Sequence, residues 1–240
     1  EAGMRRERFL PYLFVAPAAM ALAAFWVYPL FEALNLSLRG RRGDFVGLEN
    51  YRYLLVHGDF WRSLGVSMWY VVGTVPLALT LSFLIANLLF QKLRGLGFFR
   101  TLYFLPYVTS TVAAAMVWRW IFSPNRGGVA NAILGWLGAA PQRWYYESAG
   151  VFALLADGLG VTLPRWASGP SLALVCVMVF SVWHALGFQT VVFLAGLSNI
   201  PKEIHEAAEI DGAVGWRRMW HITLPLVSPS LFFLSIVSII

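Results

Sequence analysis

Apolar residues along this chain come in long stretches parted by shorter polar ones. They run Phe9 to Leu30, Leu64 to Phe90, Thr101 to Phe122 and Leu172 to Leu197, each near or above the roughly 20 residues an α-helix needs to cross a hydrocarbon core. A fifth begins at Leu226 and reaches Ile240; about 15 residues at ~1.5 Å each fall short of a core of roughly 30 Å. The pattern predicts a chain that stops inside a span, in a protein that continues. No stretch alternates apolar and polar residues with period two, which excludes a transmembrane β-barrel. The expected fold is all-α, a polytopic membrane helix bundle forming one domain over 1–240, with spans at 9–30, 64–90, 101–122, 172–197 and 226–240. Arg5, Arg6 and Arg8 precede the first span, but its apolar run is too long for a signal peptide and no small-residue cleavage site follows it, so it reads as a retained helix.

Between the spans, Gly40 to Asp59 is a polar loop, Gln91 to Arg100 a basic turn, and Ser123 to Ser171 a long segment broken by Pro124, Gly127, Gly128, Pro141, Pro164 and Pro170. Inside the last, Val151 to Leu155 is apolar and predicts a short or interfacial helix. Composition agrees: 59% of residues are hydrophobic and 12% charged, about half the charge of an ordinary soluble domain, and the mean hydropathy is +0.66. Orientation is less plain. With the N-terminus inside, Lys and Arg divide evenly between the two sides, so the raw count decides nothing. The inside charges are denser, on roughly 42 residues against roughly 86, and short loops are where the positive-inside rule applies. An inside N-terminus is the reading, and the net charge of +6 reflects topology rather than nucleic-acid binding.

Chemistry is sparse. Cys176 is the single cysteine, and His57, His184, His205 and His221 have no partners at ligand spacing, so neither a disulfide within the chain nor a metal site is expected. The four complete spans hold no Asp or Glu, which argues against an intramembrane proton relay, and no nucleophile triad or phosphate loop is present. No cofactor is expected in this chain. For a solute pathway the candidates are Trp183, His184, Gly187, Phe188 and Gln189 in the fourth span, where aromatic faces suit sugar rings and an amide suits hydroxyls. Packing and interhelical hydrogen bonding are the commoner role for such residues. Trp26, Trp118 and Trp120 fit an interfacial belt, beside which Arg119 can snorkel.

The stretch "EIHEAAEIDGAVGWRRMWHITLPL", Glu203 to Leu226, is polar in an oily half of the chain. Ser198 or Asn199 can cap a helix with Pro201 in its first turn. Glu203, Glu206 and Glu209 recur every third residue, Gly212 permits the left-handed turn that ends a helix, and a second short helix carries Arg217 and Arg218 up to Pro225, where the next span starts. Two amphipathic helices between spans usually lie on lipid or on their own bundle. The acidic face opposes anionic lipid, and Ala207, Ala208, Gly212 and Ala213 favour a closely packed partner.

The run Glu206-Ala207-Ala208, then Gly212, Ile222, Leu224 and Pro225, resembles the EAA signature of permease subunits in ATP-driven importers (type I ABC importer permeases). "NIPKEIHEAAEIDGA", "HITLPLVSPSLFF" and "RGLGFFRTLYFLPYVTSTVAAAMVWRWIFSPNRGGVAN" are similar to the carbohydrate branch, with subunits for maltose, glycerol phosphate or multiple sugars. The likeness covers most of 9–240. It implies about six transmembrane helices, this chain ending in the fifth. It also implies a bacterial or archaeal inner-membrane location, a second homologous permease, two copies of a cytoplasmic ATPase holding ATP and Mg²⁺, an extracytoplasmic binding protein, and a sugar as cargo. Residues 198–224 become the cytoplasmic coupling loop: Glu206 contacts the ATPase, Ala207 and Ala208 pack closely, Gly212 makes the turn, and Ile222, Leu224 and Pro225 fix the join to the following span. The segment 123–171 becomes external. Within it, a stretch from Trp144 to Arg165 is longer than in simple members, and Trp144, Tyr145, Tyr146 and Trp166 point to contact with the binding protein. A non-sugar cargo such as glycerol phosphate is the alternative. A stand-alone secondary transporter or channel, or a membrane enzyme or assembly factor, leaves the EAA run unexplained.

Overall fold

The computed structural model describes residues 2–90, 96–125, 127–164 and 167–240. Gln91 to Gly95 of the expected basic turn, and Arg165 and Trp166, lie outside them. Among the described residues the regular elements are helical, with two isolated bridge pairs besides, Arg39–Phe45 and Gly150–Ser171. The chain forms two compact units, Glu1–Leu64 and Gly65–Ile240.

In the first unit α1 (Ala2–Leu22) passes through a π-helical turn, Ala23–Val27, into α2 (Tyr28–Ser37). Pro29 explains the wide turn: it has no N–H, and its ring crowds the carbonyl four residues back, that of Phe25 at the centre of the turn. The helix therefore continues past Leu30, where the apolar stretch ends, and its membrane-length portion is Tyr12–Ser37. α3 (Glu49–Val56) is tied to the end of α2 by Asn50, whose amide donates to the carbonyls of Ser37 and Arg39 at 2.8 and 2.9 Å.

α4 (Gly58–Phe90) begins at the end of this unit and runs into the next. In the second unit Val75, Leu79, Phe83 and Ala86 form one buried stripe along α4, at the spacing that brings residues to one helix face. The stripe meets Phe193 and Leu197 of α9 (Leu172–Ser198), with Phe83 and Phe193 edge to face at 5.5 Å. Ile200, Met219, Val227 and Leu234 complete this core.

The single helix expected over 101–122 is instead two, α5 (Leu96–Val108) and α6 (Thr111–Ile121), meeting at 102°. Pro106 removes one backbone bond, and three hydroxyl residues in a row, Thr109 to Thr111, offer the backbone other partners; Thr109 Oγ1 donates to the Leu105 carbonyl at 2.7 Å. A second corner lies at Val227. The helical run Gly215–Leu226 meets α13 (Ser228–Ile239) there at 69°, so the break falls two residues after Pro225. Tyr12–Ser37, Gly58–Phe90 and Leu172–Ser198 are long and apolar enough to cross a membrane, and counting each bent pair as one span gives up to five. Beyond α6 come α7 (Val129–Trp136), a 3-10 turn at Trp144–Tyr146 and α8 (Val151–Asp157), the last where the apolar run Val151 to Leu155 predicts a helix.

Candidate functional site

Residues 198–226 fold as a helix, a tight turn and a second helix. Asn199 caps the end of α9, and Ser198 Oγ donates back to the Leu194 carbonyl at 2.8 Å. Neither caps the next helix, contrary to the expectation. Pro201, extended at ψ 142°, is the N-cap of α10 (Lys202–Ile210) and lies just outside its first turn. The helix stops in a Schellman motif: the Ala213 N–H reaches the Ala208 carbonyl at 2.8 Å, and the Gly212 N–H reaches that of Glu209 at 3.1 Å. Gly212 has φ +71°, the left-handed region a side chain makes costly. Ala208 is buried, so it packs through its methyl group while its carbonyl anchors the turn.

α11 (Gly215–Arg218) continues through a π-helical turn, Met219–Thr223, into α12 (Leu224–Leu226). Pro225 repeats the cause seen at Pro29, its ring facing the carbonyl of His221 at the centre of the wide turn. The two arms are clasped by Arg218, which donates to Glu209 Oε1 at 2.8 Å. Met219 belongs to the core with Leu197, Phe83 and Val227, and Ile204 and Leu224 pack against it, so the element is tied to α4 and α9. Thr223 is buried and Ile222 half-buried. The opposite side is bare: Glu203, Glu206, Ala207 and Pro225 are exposed, and so are Ile210 (87%), Trp216 (67%) and Val214 (62%).

The five candidates on α9 part company. Gln189 is buried; it accepts from Ser82 Oγ of α4 at 3.0 Å and donates to Ser238 Oγ of α13 at 3.1 Å, joining three helices. At Gly187 an added Cβ would lie 2.8 Å from the Tyr107 Cβ, so its lack of a side chain is what lets α5 and α9 touch. Phe188 stacks on Tyr107 at 5.5 Å. Trp183 lies 5.5 Å from Trp118, and His184 Nε2 is 3.5 Å from Thr111 Oγ1. Sequence reasoning missed Ser82 and Ser238, counted Met219 as bulk of the second helix without placing it in the core, and read Glu209 as solvated or self-paired without naming Arg218 as its partner. The serines left a signal, since a hydroxyl within an apolar span needs a partner; the pair needed the turn geometry.

Residues 55–240 match the family model described as the binding-protein-dependent transport system inner membrane component. The chain is 32% identical to the arabinooligosaccharides transport system permease protein AraP of Bacillus subtilis, over 98% of this chain and 69% of that protein. It is 31% identical to the sn-glycerol-3-phosphate transport system permease protein UgpA of Agrobacterium fabrum, over 97% and 73%. In fold it is similar to a chain of a bacterial alginate ABC transporter solved in complex with alginate pentasaccharide-bound periplasmic protein, with a TM-score of 0.68, 22% identity, and 97% of this chain and 72% of that one covered. This chain belongs to the family of binding-protein-dependent transport system inner membrane components.

Proposed function

We propose that this permease forms half of the translocation pathway of an ATP-driven importer for a sugar or oligosaccharide, and that residues 202–226 couple it to an ATPase on a separate chain. The observation that carries the reading is the two-sided build of that element. One side is keyed into the bundle through Ala208, Met219 and Leu224, while the other offers Glu203, Glu206, Ile210, Val214 and Trp216 to a partner. Large apolar side chains grouped on an exposed turn mark an interaction surface. A short, clasped element of this kind transmits motion as a rigid body. Glu206 makes an electrostatic contact with the ATPase, Ala207 allows its close approach, and Ile222, Leu224 and Pro225 pass the movement to α13. ATP and Mg²⁺ reside on two copies of that partner. A second homologous permease and an extracytoplasmic binding protein complete the assembly, with the N-terminus of this chain and residues 202–226 inside. Gly187 and Gln189 are engaged in packing, leaving Trp183, His184 and Phe188 as the pathway residues of α9.

A sugar is favoured by the similarity to AraP over nearly the whole chain. Glycerol phosphate is the second reading, because the similarity to UgpA is almost as high. The test of coupling is Gly212→Val in the full-length importer. At φ +71° a β-branched residue opposes the turn. Uptake should be lost while the variant inserts in the membrane at the normal level and the binding protein keeps its affinity for solute. Uptake at the normal rate sinks the coupling role of the turn.

A further inference from the structure

At the end of α9 remote from α10 lies a cavity of about 640 Å³, lined by Trp118, Arg119, Phe122, Asn125, Tyr145 and Tyr146 among others. Its volume is within the about 300–1,000 Å³ of small-molecule sites. The wall is held from behind by one buried side chain. Asn131 of α7 donates to the carbonyls of Ser123, Pro124 and Gln142 at 3.3, 3.0 and 3.0 Å, and accepts from the Gln142 N–H and the Trp144 indole N–H at 2.9 and 2.8 Å. Ser123, Pro124, Gln142 and Trp144 are thereby gathered on one side chain. Trp144 takes φ +49°, alone among the described non-glycine residues in having a positive φ, a conformation that persists only where its surroundings over-determine it. Its ring rests 5.2 Å from Phe122, and Tyr145 meets the same ring edge-on at 5.7 Å. Trp118 is fixed by Phe122, Phe180 and Trp183.

This frame presents flat aromatic surface beside unused polar groups. Arg119, Tyr145 and Tyr146 make no side-chain hydrogen bond or ion pair among the described residues. Burial, with a smaller contribution from Cys176, pushes the Tyr145 phenol up. Among the described residues no carboxylate lines the cavity. An acyl chain or an apolar side chain would cover the rings but offers no acceptor to the guanidinium and phenols beside them. A sugar ring matches both features, because one face is C–H and the rim is hydroxyl. We propose that this cavity is a saccharide subsite, in which Trp118 and Tyr145 take the apolar face of one ring and Arg119, Asn125 and Tyr146 donate to its hydroxyls. The proposal rests on the sugar-permease reading and adds a site that adjoins Trp183 through Trp118, on the side from which that reading has solute arrive.

The test uses the full-length importer with its partner subunits in lipid nanodiscs and in proteoliposomes. Uptake of labelled arabinotriose, maltotriose and glycerol 3-phosphate is measured first. Equilibrium binding of the saccharide taken up is then measured without binding protein, for the native permease and for Arg119→Gln, Tyr146→Phe and Tyr145→Ala. The first two alter exposed side chains, and equal recovery of assembled complex shows that they fold. Loss of the Tyr145 ring should weaken saccharide binding about tenfold, and loss of either donor should weaken it several-fold. Saccharide uptake with affinity unchanged in all three variants overturns the subsite and leaves the sugar-permease reading standing. Uptake of glycerol 3-phosphate and of neither saccharide overturns both. A map of the saccharide-bound complex with lipid or a partner's side chain filling the cavity likewise overturns the subsite.

Discussion

At the scale of single residues, position in the lattice of helices decides what a polar group does. Gln189 was attractive as a solute ligand because an amide at membrane depth can bond hydroxyls. The hydroxyls it bonds are those of Ser82 and Ser238. Hydrogen bonds of this kind within a membrane protein are worth roughly 0.6 kcal/mol each on average, so Gln189→Leu should lower stability by about 1 kcal/mol, read by unfolding in mixed micelles. Lost uptake with stability intact would assign Gln189 to the solute instead. Gly212 was legible from sequence for a local reason, since a helix that must turn at once needs a left-handed residue. The role of the Ala208 carbonyl was not, because it depends on which acceptor the turn selects.

At the scale of elements, the apolar stretches gave four helical regions and the EAA run gave a helical pair, while the breaks went astray. Hydropathy sums over Pro106 and Thr109 without registering that the first lacks an N–H and that the hydroxyl of the second bonds the Leu105 carbonyl, so the 102° corner between α5 and α6 was invisible to it. The helix caps were misread similarly, Pro201 taking the place assigned to Ser198 or Asn199. The hold of the coupling element on the bundle rests on packing more than on charge. The Arg218–Glu209 pair is partly exposed, and such pairs contribute about 0.2–1 kcal/mol. Met219 is buried among Phe83, Leu197 and Val227, and truncating a buried methionine costs about 2–5 kcal/mol. Met219→Ala should therefore loosen the element, and ATP hydrolysis by the assembled importer should continue with less solute moved per ATP. An unchanged ratio would mean that Met219 is not what joins the element to the bundle.

At the scale of the whole molecule, an all-α membrane protein was legible from composition and span length, since lipid leaves the backbone few alternatives to helix. Its energy source was legible only through the resemblance carried by Glu206, Ala207, Ala208, Gly212, Ile222, Leu224 and Pro225. Cargo is written more faintly, in flanking similarity and aromatic surface. The central claim is that this chain works as one permease among several subunits, driven through residues 202–226. The most direct measurement is to tag the full-length protein in its native membrane, extract it in mild detergent and identify by mass spectrometry what accompanies it. The account predicts an ATPase and a second EAA-bearing permease, with the ATPase lost and the second permease retained when Gly212 is replaced by valine. The chain recovered alone, where a control importer stays assembled, would contradict it.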